Sequence, residues 1–324
     1  MIFTITLNPA LDKTVEVPSL KTGAVNRVAQ MRTDPGGKGI NVSKVIQKLG
    51  GKSIAMGILG GHTGRSIQTA LTRMGLETDF IFADGETRTN LKIIDPTAHT
   101  TTDINEPGLA ISGEILGGLL QRLLRRIRPG DIVVLSGSMP QGSPADTYYL
   151  WTKVLSERGA KVFLDAEGEP LKMGLAAAPY LIKPNEQEFS SLISQTLETP
   201  EQIGSTPEAS KSPGDLTAAA RRLMRQYSIP KIVISLGSAG ALFVTAGETI
   251  YAEGLKVPVG NTAGAGDSVV AALAVAEERE LSLDDTISLS MAAGAANVMC
   301  SGTQAAEADV IYDLVPKVVS HRLS

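Results

Sequence analysis

The run Asn261-Thr-Ala-Gly-Ala-Gly-Asp267 sets an acid directly behind two glycines and in front of an apolar stretch, Ser268-Val-Val-Ala-Ala-Leu273. Glycines let a ligand approach the backbone without meeting a Cβ. The apolar stretch has helical spacing, so the turn opens a helix whose first N–H groups lack intrahelical partners. Such a terminus, with its positive dipole end, suits a phosphate. An acid there can take a proton from a hydroxyl, or it can cap the helix and complement the dipole. Spacing alone leaves both roles open.

Other turns carry comparable chemistry. In Asp34-Pro-Gly36-Gly37-Lys38-Gly-Ile-Asn41 a glycine pair again opens a helix, with Lys38 inside it. Asn41 is a poor helix former, and its amide can bond a polyol hydroxyl. Arg88, Asn90 and Lys92 alternate and so share one face of a strand. Two cations and an amide make an anion-binding surface, or an ordinary exposed face. Lys183-Pro-Asn185-Glu186-Gln-Glu188 follows an apolar strand. Its Asn and Glu suit a hydrated Mg²⁺ beside phosphates, and they suit a capping box equally well. Ser235-Leu-Gly237-Ser238-Ala-Gly240 can lie against a nucleotide or form a plain hairpin. Ser136-Gly-Ser138-Met-Pro-Gln-Gly142 is another polar turn at a strand end.

Short apolar strands alternating with helices must position these turns. Strands are expected at Ile2–Leu7, Ile54–Leu59, Ile132–Leu135, Lys161–Leu164, Tyr180–Ile182, Lys231–Leu236 and Ala241–Thr245. Helices are expected after Gly39 and at Thr63–Met74, Ala145–Glu157, Glu186–Ile193, Ala265–Glu277, Leu283–Asn297 and Asp309–Val319. Continuous apolar strands interleaved with helices predict a mostly parallel sheet covered on both faces, with ligands at the carboxyl ends of its strands. Thr14–Thr33 and Arg88–Asn105 break the pattern. They read as strands of a small accessory sheet built from two separated pieces. Thr196–Asp215, rich in Pro, Ser, Thr and Glu, reads as a solvated loop.

Composition excludes several classes. A formal charge of −4 over 324 residues gives no global field for nucleic acid or an anionic membrane. Cys300 is the only cysteine, so no intrachain disulfide forms. With no leader-like or membrane-spanning apolar run, a cytoplasmic protein is expected. No P-loop and no Gly-x-Gly-x-x-Gly occurs, and His62, His99 and His321 lack metal-ligand spacing.

Taken together, Leu7-Asn-Pro-Ala-Leu-Asp12, Val25-Asn-Arg27, Gly36-Gly-Lys-Gly-Ile-Asn41, Gly85-Glu-Thr-Arg88, Asn105-Glu-Pro-Gly108 and the Asp267 run resemble the ribokinase-like sugar kinases, within them the phosphofructokinase B group. The resemblance covers nearly the whole chain. It implies a single three-layer α/β/α domain over residues 1–324 with a discontinuous β lid from about 12–35 and 86–106. It implies ATP and Mg²⁺, with Asp267 as general base and the amides around Gly264, Ala265 and Gly266 as anion hole. Asp12, Gly36, Gly37, Asn41, Asn90 and Ser136 would meet the sugar. Arg88, Lys38 and Arg27 would hold its existing phosphate. Lys183, Asn185, Ser235, Gly237, Ser238, Gly240 and Asn297 would line the nucleotide site, with Glu188 near the metal through water. The implied reaction is phosphorylation of a ketohexose phosphate: fructose 1-phosphate first, tagatose 6-phosphate or fructose 6-phosphate as alternatives. A lid-to-lid homodimer is implied as well. A non-catalytic sugar-phosphate sensor on the same fold is the rival from another class.

Overall fold

The computed structural model of the chain describes residues 1–196, 212–300 and 304–323. Among them, ten strands form one sheet. Its parallel part runs β5 (Glu77–Ala83), β4 (Ser53–Gly60), β1 (Ile2–Thr6), β8 (Ile132–Ser136), β9 (Lys161–Asp165), β10 (Leu181–Ile182) and β11 (Lys231–Ser235). Three antiparallel strands complete it: β12 (Gly240–Thr245), β13 (Thr249–Glu253) and β14 (Ser320–Leu323).

Both sheet faces are covered because the central strands β1, β4 and β8 are buried at every position, not at alternate ones. Phe3, Ile5, Val133, Leu135, Val162 and Leu164 face one helical layer. That layer comprises α3 (Gly113–Leu124), α4 (Thr147–Glu157), α5 (Gly168–Gly174), α6 (Glu186–Thr196) and α7 (Pro213–Tyr227). Ile2, Ile132, Val134 and Phe163 face the other, made of α1 (Lys38–Lys48), α8 (Ala265–Glu278), α9 (Leu283–Val298) and α10 (Ala308–Leu314). On the latter side α2 (Gly61–Arg73) sets Ile67 and Leu71 against Ala55, Leu59 and Phe80. The expected three-layer α/β/α architecture is therefore observed.

Helix α8 is buried along Asp267–Ala276, and small residues let it pass between α1, α9 and the sheet. A Cβ at Gly294 would stand 2.9 Å from Val269 Cγ2, so α9 needs that glycine to approach α8. Each fully buried aliphatic side chain here contributes about 1.5–3 kcal/mol, which a core with few aromatics must accumulate by number.

A second sheet of four strands lies apart: β3 (Gln30–Gly36), β2 (Ala10–Glu16), β6 (Arg88–Asp95) and β7 (Thr100–Asn105). Its central pair is parallel and sets Asp12 beside Asn90, while β3 sets Asp34 opposite Asp12. Two sequence pieces more than 50 residues apart thus build one lid.

Some elements differ from expectation. The last helix ends at Leu314, not Val319; a 3₁₀ turn follows over Val315–Lys317 and then β14. Pro316 lacks the N–H that would continue the helix. Strands β5 and β13 and helices α3, α5 and α7 are not among the expected elements, although α7 buries Leu216, Ala219, Ala220, Leu223 and Met224 at helical spacing. Of the predicted 196–215 loop, Thr196 ends α6, and Ser212 caps α7 in a capping box with Asp215. The rest of that loop, 197–211, lies outside the described residues. Among the described residues no helix is long and apolar enough to cross a membrane.

Candidate active site

The glycine turn before α8 is built as its sequence suggests. Gly264, at φ +84°, is the N-cap, a conformation that favours glycine. Asp267 stands in the first turn and is 7 % exposed. Its Oδ2 accepts a 2.9 Å hydrogen bond from Asn41 Nδ2 on α1, so the carboxylate reaches across to another element. Burial pushes its pKa up to about 6, and the neighbouring Asp165 charge adds to the rise. The Asn41 bond and the charges of Lys38 and Lys183 only partly offset this. A carboxylate tuned toward neutrality can accept a proton from a hydroxyl near pH 7.

Asp165 ends β9 and is fully buried among cations. Lys183 Nζ lies 3.4 Å and Lys38 Nζ 3.8 Å from its oxygens, and Ser136 donates to it at 2.9 Å. Burial alone would raise this acid, but the two ammoniums and the hydroxyl hold it below its ordinary value. Lys183 also leans over the glycine turn: a Cβ on Gly266 would stand 3.2 Å from its Nζ. An ammonium above helix-terminal amides makes a built cradle for an anion.

Helix α1 is drawn against β1 by its glycines. A Cβ at Gly39 would stand 2.6 Å from Thr6 Oγ1, and Gly37, at φ +111°, passes Thr6 Cγ2 at 2.6 Å on the same test. Gly36 leaves room for the Asp12 carboxylate, which any Cβ there would strike. Asp12 accepts from Asn90 Nδ2 at 3.1 Å, and burial raises its pKa. Arg88 donates to the carbonyls of Asn8 (3.0 Å) and Glu106 (3.2 Å). Its Nε and Asn90 Oδ1 are buried without hydrogen-bond partners among the described residues. Orphaned donors and acceptors on one lid face suit a ligand rich in hydroxyl and phosphate oxygens.

The turns after β10 and β11 lie side by side. Asn185 bridges Ser235, and Ser235 N donates to Pro184 O. Gly237 and Ser238 lie in a 3₁₀ turn that Gly240 closes. Asn185 and Glu188 do form a reciprocal capping box, both bonds at 2.8 Å. Among the described residues no group of three or more His, Cys, Asp or Glu could cage a metal. Glu188 is partly exposed at the cradle's edge, which fits an outer, water-separated contact to a phosphate-borne ion. Asn297 Oδ1 is buried without a partner among the described residues, 3.3 Å from where a Gly264 Cβ would lie. Its Nδ2 donates to Gln304 O at 2.9 Å, so the amide lies beside the glycine turn.

Most predicted residues therefore gather at the carboxyl edge of the sheet and the facing lid. Three are placed differently. Lys38 joins Asp165 and Lys183 on the Asp267 side, whereas Arg88 stands at the lid. The Ser136 hydroxyl is committed to Asp165. Arg27 is exposed beyond the Glu16–Gln30 end of the β2–β3 hairpin, four residues along β2 from Asp12 and so roughly 13 Å away or more. Sequence reasoning missed Asp165, whose signal is an acid ending a wholly apolar strand. It also missed Asn8, which donates to Pro107 O and Ser138 Oγ and so ties two site loops together. Lys44 went unnoticed as well; it is buried on α1 behind Asn41.

Known proteins resemble this chain along most of its length. The profile of the pfkB family carbohydrate kinases matches residues 5–309. A 1-phosphofructokinase of Xanthomonas campestris pv. campestris is 38 % identical over 84 % of this chain and 83 % of its own length. A D-tagatose-1-phosphate kinase of Bacillus licheniformis is 32 % identical over 93 % of this chain and 94 % of its own. Among solved structures, the tetrameric inhibited form of phosphofructokinase-2 from Escherichia coli superposes with a TM-score of 0.87 at 28 % identity, covering 98 % of each chain.

Proposed function

We propose a reaction from one premise: this chain belongs to the pfkB family of carbohydrate kinases. It is a phosphotransferase acting on a sugar. The specific reaction we assign is ATP plus fructose 1-phosphate to fructose 1,6-bisphosphate and ADP, in the cytoplasm. The observation that carries it is the pairing of two unlike regions. Asp267 waits beside an anion cradle, and a lid opposite presents Asp12, Asn90 and the unsatisfied Arg88 Nε to a substrate that already bears a phosphate.

Asp12, Asn90 and the Gly36–Gly37 turn hold the sugar hydroxyls, and Arg88 holds the existing phosphate. Asp267 takes the proton from the acceptor hydroxyl, whose oxygen attacks the γ-phosphorus as ADP leaves. The α8 amides at Gly264–Gly266, with Lys183 and Lys38, stabilise charge on the transferring group. The Ser235–Gly240 and Asn185 turns seat the nucleotide. Glu188 would hold Mg²⁺ through water, and the ion would supply charge that offsets the phosphates.

The lid also supports a homodimer. Val25, Val28, Met31 and Ile104 expose 84, 51, 61 and 52 % of their surface there, an apolar face that a second lid would cover. Arg27 lies within it, remote from its own Asp12, and we assign it to the neighbouring copy's phosphate. Mass measurement by light scattering should give a dimer; a clean monomer contradicts this part.

The reaction is tested by coupled ADP release with fructose 1-phosphate, fructose 6-phosphate, tagatose 6-phosphate and tagatose 1-phosphate. Fructose 1-phosphate should show the highest kcat/KM. A higher value for either tagatose phosphate would transfer the assignment to that sugar, and the D-tagatose-1-phosphate kinase relative makes the 1-phosphate the sharper competitor.

A further inference from the structure

Lys44 lies on α1 one turn after Asn41 and is 7 % exposed. Its Nζ stands 3.1 Å from Asn41 Oδ1, while Asn41 Nδ2 stands 2.9 Å from Asp267 Oδ2. An ammonium has three donors and no acceptor, so only the oxygen end of the Asn41 amide can face it. The amide's NH₂ end is then compelled toward Asp267. Reversed, the amide would set its oxygen against a carboxylate oxygen, which only a protonated Asp267 could satisfy. The chain Lys44, Asn41, Asp267 thus donates in one direction and ends on an ionised acid.

We propose that Lys44 is a positioning residue: it locks the Asn41 amide, and through it holds Asp267 ionised and aimed with its second oxygen toward the acceptor hydroxyl. The inference rests on Asp267 being the base in the reaction proposed above. It also explains why a lysine is tolerated in the interior. Burial lowers its pKa to about 8, while the surrounding acids keep it from falling further. The groups facing it are Asp12 from β2, Asp34 and Arg32 from β3, and Asp267 from α8. Those facing Asp267 are Asp165, Lys38, Asn41, Lys183 and Lys44 itself.

Two measurements test this. The first needs no substrate: carboxyl-carbon NMR titration of Asp267 in wild type, Lys44→Met and Lys44→Arg. Loss of the ammonium frees the amide to reverse, so Lys44→Met should raise the Asp267 midpoint by about one pH unit, and Lys44→Arg should restore it. An unmoved midpoint in Lys44→Met overturns the proposal. The second is a cycle of Lys44→Met, Asn41→Ala and the double variant, read as kcat/KM against pH. Lys44→Met alone should cost about tenfold at pH 6, yet less than about twofold once Asn41 is gone, because its effect passes through that amide. Costs that multiply instead would show Lys44 acting through Asp12, Asp34 or packing, and would overturn it. Should Lys44→Met fail to fold, Lys44→Gln replaces it with the same shift expected, since Gln presents either end and locks nothing. A wild type that turns over none of the sugar phosphates sinks the proposed reaction, while the substrate-free titration still decides the chain from Lys44 to Asp267.

Discussion

Two elements, β9 and α8, carry charge at both ends, and the two ends behave in opposite ways. At the amino edge of the sheet, Lys161 begins β9 and Glu277 lies near the end of α8. Glu277 accepts from Lys161, Lys231 and Tyr180, all within 2.7 Å. Burial works against its ionisation, yet these three donors hold its pKa down to about 2. At the carboxyl edge, Asp165 ends β9 and Asp267 begins α8. There Asp267 has one amide donor and a like charge for a neighbour, and its pKa stands at about 6. One end satisfies its carboxylate and clamps sheet to helix. The other leaves a carboxylate under-satisfied beside an anion cradle, ready for chemistry. On the proposed function, the same pair of elements separates stability from catalysis along its length.

Breaking the active end should have the largest effect. Asp267→Asn removes the proposed base and should lower kcat by about 10²–10⁴ in the ADP-release assay. In wild type, kcat/KM should fall about tenfold per pH unit below the Asp267 midpoint of about 6. Gly266→Ala comes next: its Cβ would crowd Lys183 Nζ at 3.2 Å and should cost about tenfold in kcat/KM with little change in Tm.

Smaller effects sharpen the contrast through stability. The folded pKa of Asp267 is raised above its ordinary 3.8. Folded chains therefore keep a proton that unfolded chains lose between about pH 4 and about pH 6, and stability falls as pH rises through that window. Asp267→Asn should accordingly raise Tm at pH 7 by a few degrees, about 1–3 kcal/mol, with the gain vanishing near pH 4. Glu277 is shifted the other way, below its ordinary 4.5. Its contribution is present above about pH 4.5 and lost as pH falls through about 2. Glu277→Gln should lower Tm by a few degrees at pH 7, less so in high salt because the lysines are partly exposed.

The sequence made the active end readable wherever glycine was required. Gly36–Gly37 and Gly264–Gly266 each mark a place where backbone must approach a side chain or an anion, and each pointed to its neighbours Lys38, Asn41 and Asp267. Asp165 carries no such mark, because acids commonly flank strands and only the fold reveals the two lysines around it. Lys44 was hidden for a related reason. In a helical pattern a lysine reads as a solvated face, and only the fold brings Asp12 and Asp34 of the lid and Asp267 of α8 around it. Arg27 was legible as part of a motif, yet its distance from Asp12 follows from a hairpin register that no local pattern encodes. Among the elements, α3 was obscured by Gly117–Gly118 in its middle and α7 by the polar stretch leading into it.

The central claim, that one end of α8 serves catalysis and the other stability, is tested most directly by measuring kcat and Tm side by side for Asp267→Asn and Glu277→Gln. The account predicts a crossing: Asp267→Asn loses about two orders of magnitude or more in kcat and melts higher, while Glu277→Gln keeps kcat within about twofold and melts lower. Equal loss of activity in both variants, or an Asp267→Asn enzyme that still turns over at the wild-type rate, would contradict it.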